Sequence, residues 1–210
     1  GTPPLPALSS FGHLAISEHS LVYSHACGRP ALSLAATAER LLVAYPNSPL
    51  CSEAIYRLGE YAYGQGVYQE AEGFYETVLA NHADSTFVPY ALYGRGWSQI
   101  KQDKFKDAAT TFSKLIDAYP KHSLAQQALI GRATSWRREG NAEASVMDAK
   151  RALETSGKNL AKADVLYELG LAQIQQADWK EVIKTFSELI QLAPSEDRAD
   201  QFHYELAWAY

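Results

Sequence analysis

The side chains in this chain that could hold a metal or attack a substrate are few and poorly spaced for either task. His13, His19 and His25 stand six residues apart, which on a helix turns successive rings to different sides and excludes a shared metal ion. No His-Glu-x-x-His, Gly-x-Ser-x-Gly or phosphate-loop pattern occurs. The carboxylate pairs Glu70/Glu72 and Glu196/Asp197 have the character of exposed helix and turn residues. The sequence therefore predicts no catalytic group, no metal and no cofactor, and the chain is read as a non-enzyme. What remains is recognition chemistry. Lys101, Arg137 and Arg138 could receive a carboxylate or phosphate from a bound ligand, or could simply be a solvated helix end.

Composition narrows the class of partner. With 210 residues, 47% of them hydrophobic and 20% charged, the chain has apolar residues enough to fold, and its net charge of -5 leaves no basic stripe for a nucleic acid. No apolar run approaches the ~18 residues of a membrane helix, so no integral membrane segment is expected. Gly1 to Ser9 reads as a Pro-rich linker or leader.

The elements that position these side chains emerge when the chain is slid against itself by 37 residues. Small residues recur at Val22, Gly59, Gly96, Ala133, Gly170 and Ala207, and a second small column runs Leu34, Ala71, Ala108, Ser145, Val182. A mostly large column follows at Ala38, Tyr75, Phe112, Ala149 and Phe186, then an aliphatic one at Leu41, Val78, Leu115, Ala152 and Leu189. Pro46, Ala83, Pro120, Gly157 and Pro194 punctuate the same grid. Within each unit a second break falls at Gly28–Pro30, Gly64–Gly66, Gln102–Lys104, Gly140 and Ala177–Asp178. Between breaks the apolar spacing is helical and nowhere alternates with period two. Each unit is thus two helices that cannot bury their apolar faces alone, and stacking must supply the core. The units are placed at 15–51, 52–88, 89–125, 126–162 and 163–199, with a partial unit at 200–210, so that 10–210 forms one array. Tyr68, Phe105 and Trp179 are expected to fill the space beside the internal turn. Cys27 would end one helix and Cys51 begin the next unit, on the order of 20 Å apart, too far for a disulfide. Arg95 and Arg132 occupy a column that is otherwise Leu, face partly inward and require acidic or carbonyl partners.

These residues resemble the tetratricopeptide repeat family. Leu58-Gly59, Gly66, Tyr68, Ala71, Tyr75 and Val78 follow its signature, and Gly96, Phe105, Ala108, Phe112, Leu115 and Pro120 follow it again. The resemblance spans roughly residues 14 to 210. It departs at Ala142, Ser145, Ala149 and Ala152, where bulk is usual, and in the 37-residue unit, since the family unit is shorter. The spacers Tyr45-Pro46-Asn47-Ser48 and Tyr119-Pro120-Lys121-His122-Ser123 are similar to those of bacterial envelope-associated members, the Tol-Pal coordinator and outer-membrane assembly lipoproteins. The fold this implies is all-α, a right-handed superhelical solenoid of helix-turn-helix repeats.

The resemblance also implies a function: binding a protein or peptide ligand in the concave groove lined by the first helix of each unit. Carried onto this register, the groove positions are Tyr56, Glu60 and Tyr63; Tyr90, Tyr93, Trp97, Ile100 and Lys101; Arg137 and Arg138; Tyr167, Leu171 and Ile174; and Tyr204 and Trp208. The groove would be aromatic, with rings that offer area at low entropic cost. Two readings of each Tyr stay open, ligand contact or packing between neighbouring helices. Family members that clamp a C-terminal carboxylate carry Lys and Asn where this chain has Tyr56, Glu60 and Trp97, so that clamp is not expected. A Pro-rich segment would suit such rings. A glycan or cell-wall polymer stacking on them is the alternative, and a regulatory or targeting role within a larger enzyme is a third. Leu206, Trp208 and Tyr210 lie in the partial sixth unit, an apolar edge that is expected to self-associate or to be covered by a longer array. The resemblance points to a bacterial periplasm or cell envelope, while composition leaves the cytoplasm open.

Overall fold

The computed structural model describes residues 48–154, 162–193 and 198–210. The linker, the unit at 15–51 as far as residue 47, the histidines at 13, 19 and 25, Cys27, Pro46, Gly157 and Pro194 lie outside the described residues. Within them the chain is all helical: α1 (Pro49–Gly64), α2 (Tyr68–Asn81), α3 (Val88–Lys101), α4 (Phe105–Ala118), α5 (Ser123–Glu139), α6 (Ala142–Glu154), α7 (Lys162–Gln175), α8 (Trp179–Leu192) and α9 (Ala199–Ala209). They fall into two compact units that divide after Gln102. In the first, α1, α2 and α3 pack in succession and α1 also touches α3; in the second, each helix from α4 to α9 packs on the next, and α5 also touches α7. Layering of a helix on its neighbour and next-but-one neighbour is the arrangement the repeats require.

The second helices start at Tyr68, Phe105, Ala142 and Trp179, one period apart. Before each start the backbone is left-handed, at Gly66 (φ 77°), Asp103 (φ 59°), Gly140 (φ 92°) and Ala177 (φ 56°). Around three of these the same pair of bonds closes the preceding helix: Gly66 N to Tyr63 O with Val67 N to Ala62 O, Gly140 N to Arg137 O with Asn141 N to Trp136 O, and Ala177 N to Ile174 O with Asp178 N to Gln173 O. This is the two-bond C-terminal cap that suits glycine. The sequence analysis located the breaks but not this left-handed column. The second helices end at Asn81, Ala118 and Leu192, two residues ahead of the Ala83, Pro120 and Pro194 punctuation. Of the residues expected beside the turn, Tyr68 stands edge-on to Tyr63 with ring centroids 5.2 Å apart, whereas Trp179 is 41% exposed.

The core is built on the large column. Tyr75, Phe112 and Phe186 are fully buried, each against bare glycine backbone. A Cβ on Gly59 would lie 2.6 Å from Tyr75 Cε1, and one on Gly170 would lie 2.5 Å from Phe186 Cε2, so at these two positions the small column lets paired helices approach. A second set, not foreseen, sits on the following first helix: a Cβ on Gly94 would meet Tyr75 Cζ at 2.5 Å, and one on Gly131 would meet Phe112 Cζ at 2.5 Å. The Tyr75 ring is therefore gripped from both sides. Its hydroxyl is buried without a hydrogen-bond partner among the described residues.

Two outcomes follow. Gly131→Ala drives a methyl into a buried ring and should destabilise by about 1–3 kcal/mol, with most of the loss recovered when Phe112→Leu is added; thermal melts of the single and double variants measure this. Ala177→Gly relieves a left-handed Ala and should stabilise by about 1 kcal/mol, read from the same melts.

Candidate functional site

The first-helix positions separate by depth. In the first unit Tyr56, Tyr63 and Ile100 are buried, with Tyr56 only 6% exposed, while Glu60, Tyr90, Tyr93 and Trp97 are half-buried and Lys101 is exposed. Helical spacing puts Tyr90, Tyr93 and Trp97 on one face of α3. Tyr93 and Trp97 meet edge to face, 6.1 Å between centroids at 72°. Behind them, Tyr56 lies 6.0 Å from Tyr90 and 5.4 Å from Phe87, and Trp97 packs on the cluster formed by Ile55, Tyr56, Tyr63 and Tyr75. Tyr56 Oη donates to Glu60 Oε1 at 2.9 Å, and Glu60 also holds Arg57 at 2.8 Å. Burial, then the Glu60 carboxylate, pushes the Tyr56 phenol well above its ordinary range, and burial does the same to Tyr63. Both stay neutral, Tyr56 as a donor and Tyr63 as packing surface, not as anions.

The two groove arginines have partners. Arg137 forks onto Glu168, Nε to Oε1 and Nη2 to Oε2, with side chains 18% and 4% exposed. Arg138 reaches Asp103 Oδ1 at 3.2 Å and lies over the Phe105 ring at 5.0 Å. Arg137 presents no open fork to an incoming anion, whereas Arg138 is an exposed side chain held by a single bond to an exposed aspartate. Arg95 and Arg132 behave as their column demanded. Arg132 makes two 2.7 Å bonds to the buried Asp148 and one of 2.9 Å to Ser113 Oγ. Arg95 pairs with Glu76, and its Nε lies 3.9 Å from Glu72. The sequence analysis did not find Glu168. It stands in the column of Gly94 and Gly131, and a carboxylate in that buried column was the available signal.

In the second unit Tyr167, Leu171 and Ile174 are half-buried. Tyr167 packs on Phe202 and Phe186 at 5.5 and 6.3 Å. Arg198, also missed, lies 5.0 Å over the Tyr167 ring and bonds Asp164 at 2.7 Å. Burial raises the Tyr167 phenol, opposed by Arg198. Tyr204 and Trp208 are the open positions, 61% and 68% exposed. Among the described residues no group of three or more His, Cys, Asp or Glu could hold a metal, and no helix is long and apolar enough to cross a membrane. Cys51 is buried.

Removing one partner of a buried pair leaves the other charge stranded. Arg137→Met should therefore destabilise by about 3 kcal/mol, and Arg137→Met/Glu168→Leu should regain most of it; denaturant melts of the two variants decide whether Arg137 acts in structure.

Two models of the tetratricopeptide repeat family match this sequence, one at residues 28–86 and the other at residues 90–122 and 164–195, together more than half of the chain. Among solved structures, a tetratricopeptide repeat protein from Parabacteroides merdae superposes with a TM-score of 0.74 at 19% identity, over 91% of this chain and 71% of that one. A putative kinesin light chain of Podospora anserina with nearly identical TPR-like repeats gives a TM-score of 0.66 at 15% identity, over 78% of this chain and 87% of that one. MamA from Desulfovibrio magneticus RS-1 gives 0.60 at 19%, over 80% and 97%. Comparison with curated proteins yields no significant match. The repeat grid, the helix pairs it forms and the family models agree: the chain belongs to the tetratricopeptide repeat family.

Proposed function

We propose that this chain is a protein-interaction scaffold that takes an extended segment of a partner protein against the α3 face of Tyr90, Tyr93 and Trp97. Tetratricopeptide repeats in general mediate protein–protein interactions. The observation that supports this particular face is the Tyr93–Trp97 pair, edge to face at 6.1 Å and backed by the buried Tyr56 and Tyr63. Rings held rigid before binding lose little freedom when a ligand arrives. An extended, proline-rich segment suits them because it is itself preformed and presents flat apolar faces. Glu60 adds an acceptor at the edge of the cluster. Tyr167 and Leu171 on α7 offer a second, smaller apolar surface within their own unit. Arg137 is assigned a structural role, since its fork is occupied by Glu168. The Tyr-Pro-Lys-His-Ser spacer at 119–123 supports a place among envelope-associated members.

The test is capture from native extract by the chain and by Tyr93→Ser/Trp97→Ser, the variant first shown to keep its helicity and melting point. A protein held by the unmodified chain and lost, tenfold or more, from the variant is the expected result. Equal capture by both overturns the proposal, and capture of cell-wall glycan instead of protein replaces it.

A further inference from the structure

Ser48, Ser85 and His122 occupy one column of the grid, continued in sequence by Asn159 and Glu196; Ser48 and His122 are the N-caps of α1 and α5, and Ser85 stands two residues ahead of Phe87, the N-cap of α3. In the three described cases the side chain does the same thing. Ser48 Oγ accepts from Leu50 N at 3.3 Å, Ser85 Oγ accepts from Phe87 N at 3.1 Å, and His122 Nδ1 accepts from Leu124 N at 3.2 Å. His122 has the extended backbone of an N-cap, at φ -76° and ψ 142°. A hydroxyl caps at every accessible pH. An imidazole caps only while Nδ1 keeps its lone pair, which places the proton on Nε2.

We propose that His122 is a pH-sensitive cap for α5, intact at neutral pH and released in mild acid, a function independent of the α3 recognition face. Protonation converts the acceptor into a donor that faces the Leu124 N–H and sets a full positive charge at the positive pole of a 17-residue helix. The surroundings add to the effect. His122 borders a hollow of about 300 Å³ between the end of α4 and the starts of α5 and α6's last turns. The other charged groups that line it are Lys121 of the same turn and Arg151 of α6; α4 contributes Ile116, and α5 contributes Ser123, Gln126 and apolar residues.

Burial lowers the His122 pKa below its ordinary value. The unfolded chain therefore takes up its proton first, near pH 6.5. The stabilisation is complete above that value and declines as pH falls from it towards the lower folded-state pKa.

The experiment compares the chain with His122→Ser and His122→Ala at pH 7.5 and 5.0. It reads the hydrogen-exchange protection factor of the Leu124 amide and the melting temperature. For the chain, Leu124 protection is expected to fall about fivefold at pH 5.0. It should stay level in His122→Ser, which restores the residue of the two preceding units, and be low at both pH values in His122→Ala. The melting temperature of the chain should match that of His122→Ser at pH 7.5 and drop about 2–4 °C below it at pH 5.0. The same pH dependence in the chain and His122→Ser would overturn the proposal, as would an Ala variant that equals the chain in Leu124 protection at pH 7.5.

Discussion

Everything in this fold depends on how closely a ring can lie against bare backbone. Tyr75, Phe112 and Phe186 fill the space between helices only because glycine is present where a methyl would collide, at Gly59 and Gly94, at Gly131 and at Gly170. The ring is the bulk of the hydrophobic contribution at each such contact, and the glycine sets the distance at which it is collected. Where the pattern changes, it changes on both sides. Ala149 stands in the ring column, and Glu168 stands in the glycine column one helix later, buried and held by Arg137. A polar contact thus occurs in the register where a ring and a glycine meet elsewhere. Arg132 and Asp148, on α5 and α6, form a second buried pair.

The architecture was readable because it is written several times. One helical segment with Phe112, Leu115 and Ile116 on a face is ambiguous, but the same face repeated at a fixed spacing is not. The glycines at 94 and 131, the left-handed turn column and the cap column were equally present in the sequence. They were missed because each mixes residue types: Gly, Asp, Gly and Ala share a backbone conformation, and Ser, Ser and His share a lone pair, with no resemblance in size or polarity. A chemical column is harder to see than a steric one.

The surface was less legible for a different reason. Whether Arg137 is open to a ligand depends on Glu168, 31 residues away, and whether Tyr56 is a contact or a filler depends on Phe87 and Tyr90 at the start of the following helix. Periodicity tells which residues share a face but not what stands opposite. Hence the groove register named Tyr56, Tyr63 and Tyr93 alike, while depth divides them into support and surface. Family membership has the same limit: it fixes the scaffold and leaves the ligand to a few half-buried side chains.

Because the Tyr75 ring is gripped by its own first helix and the one that follows, its seam is complete with three helices and refers to nothing farther along the chain. Duplication or loss of a whole 37-residue unit would rebuild a seam of this kind, whereas a break in mid-unit would leave such a ring half covered. Such a gene can change its length in steps without re-inventing its core. The left-handed turn and the residue of the capping column would travel with each copied unit, and each accepts more than one residue type, with alanine at 177 and histidine at 122.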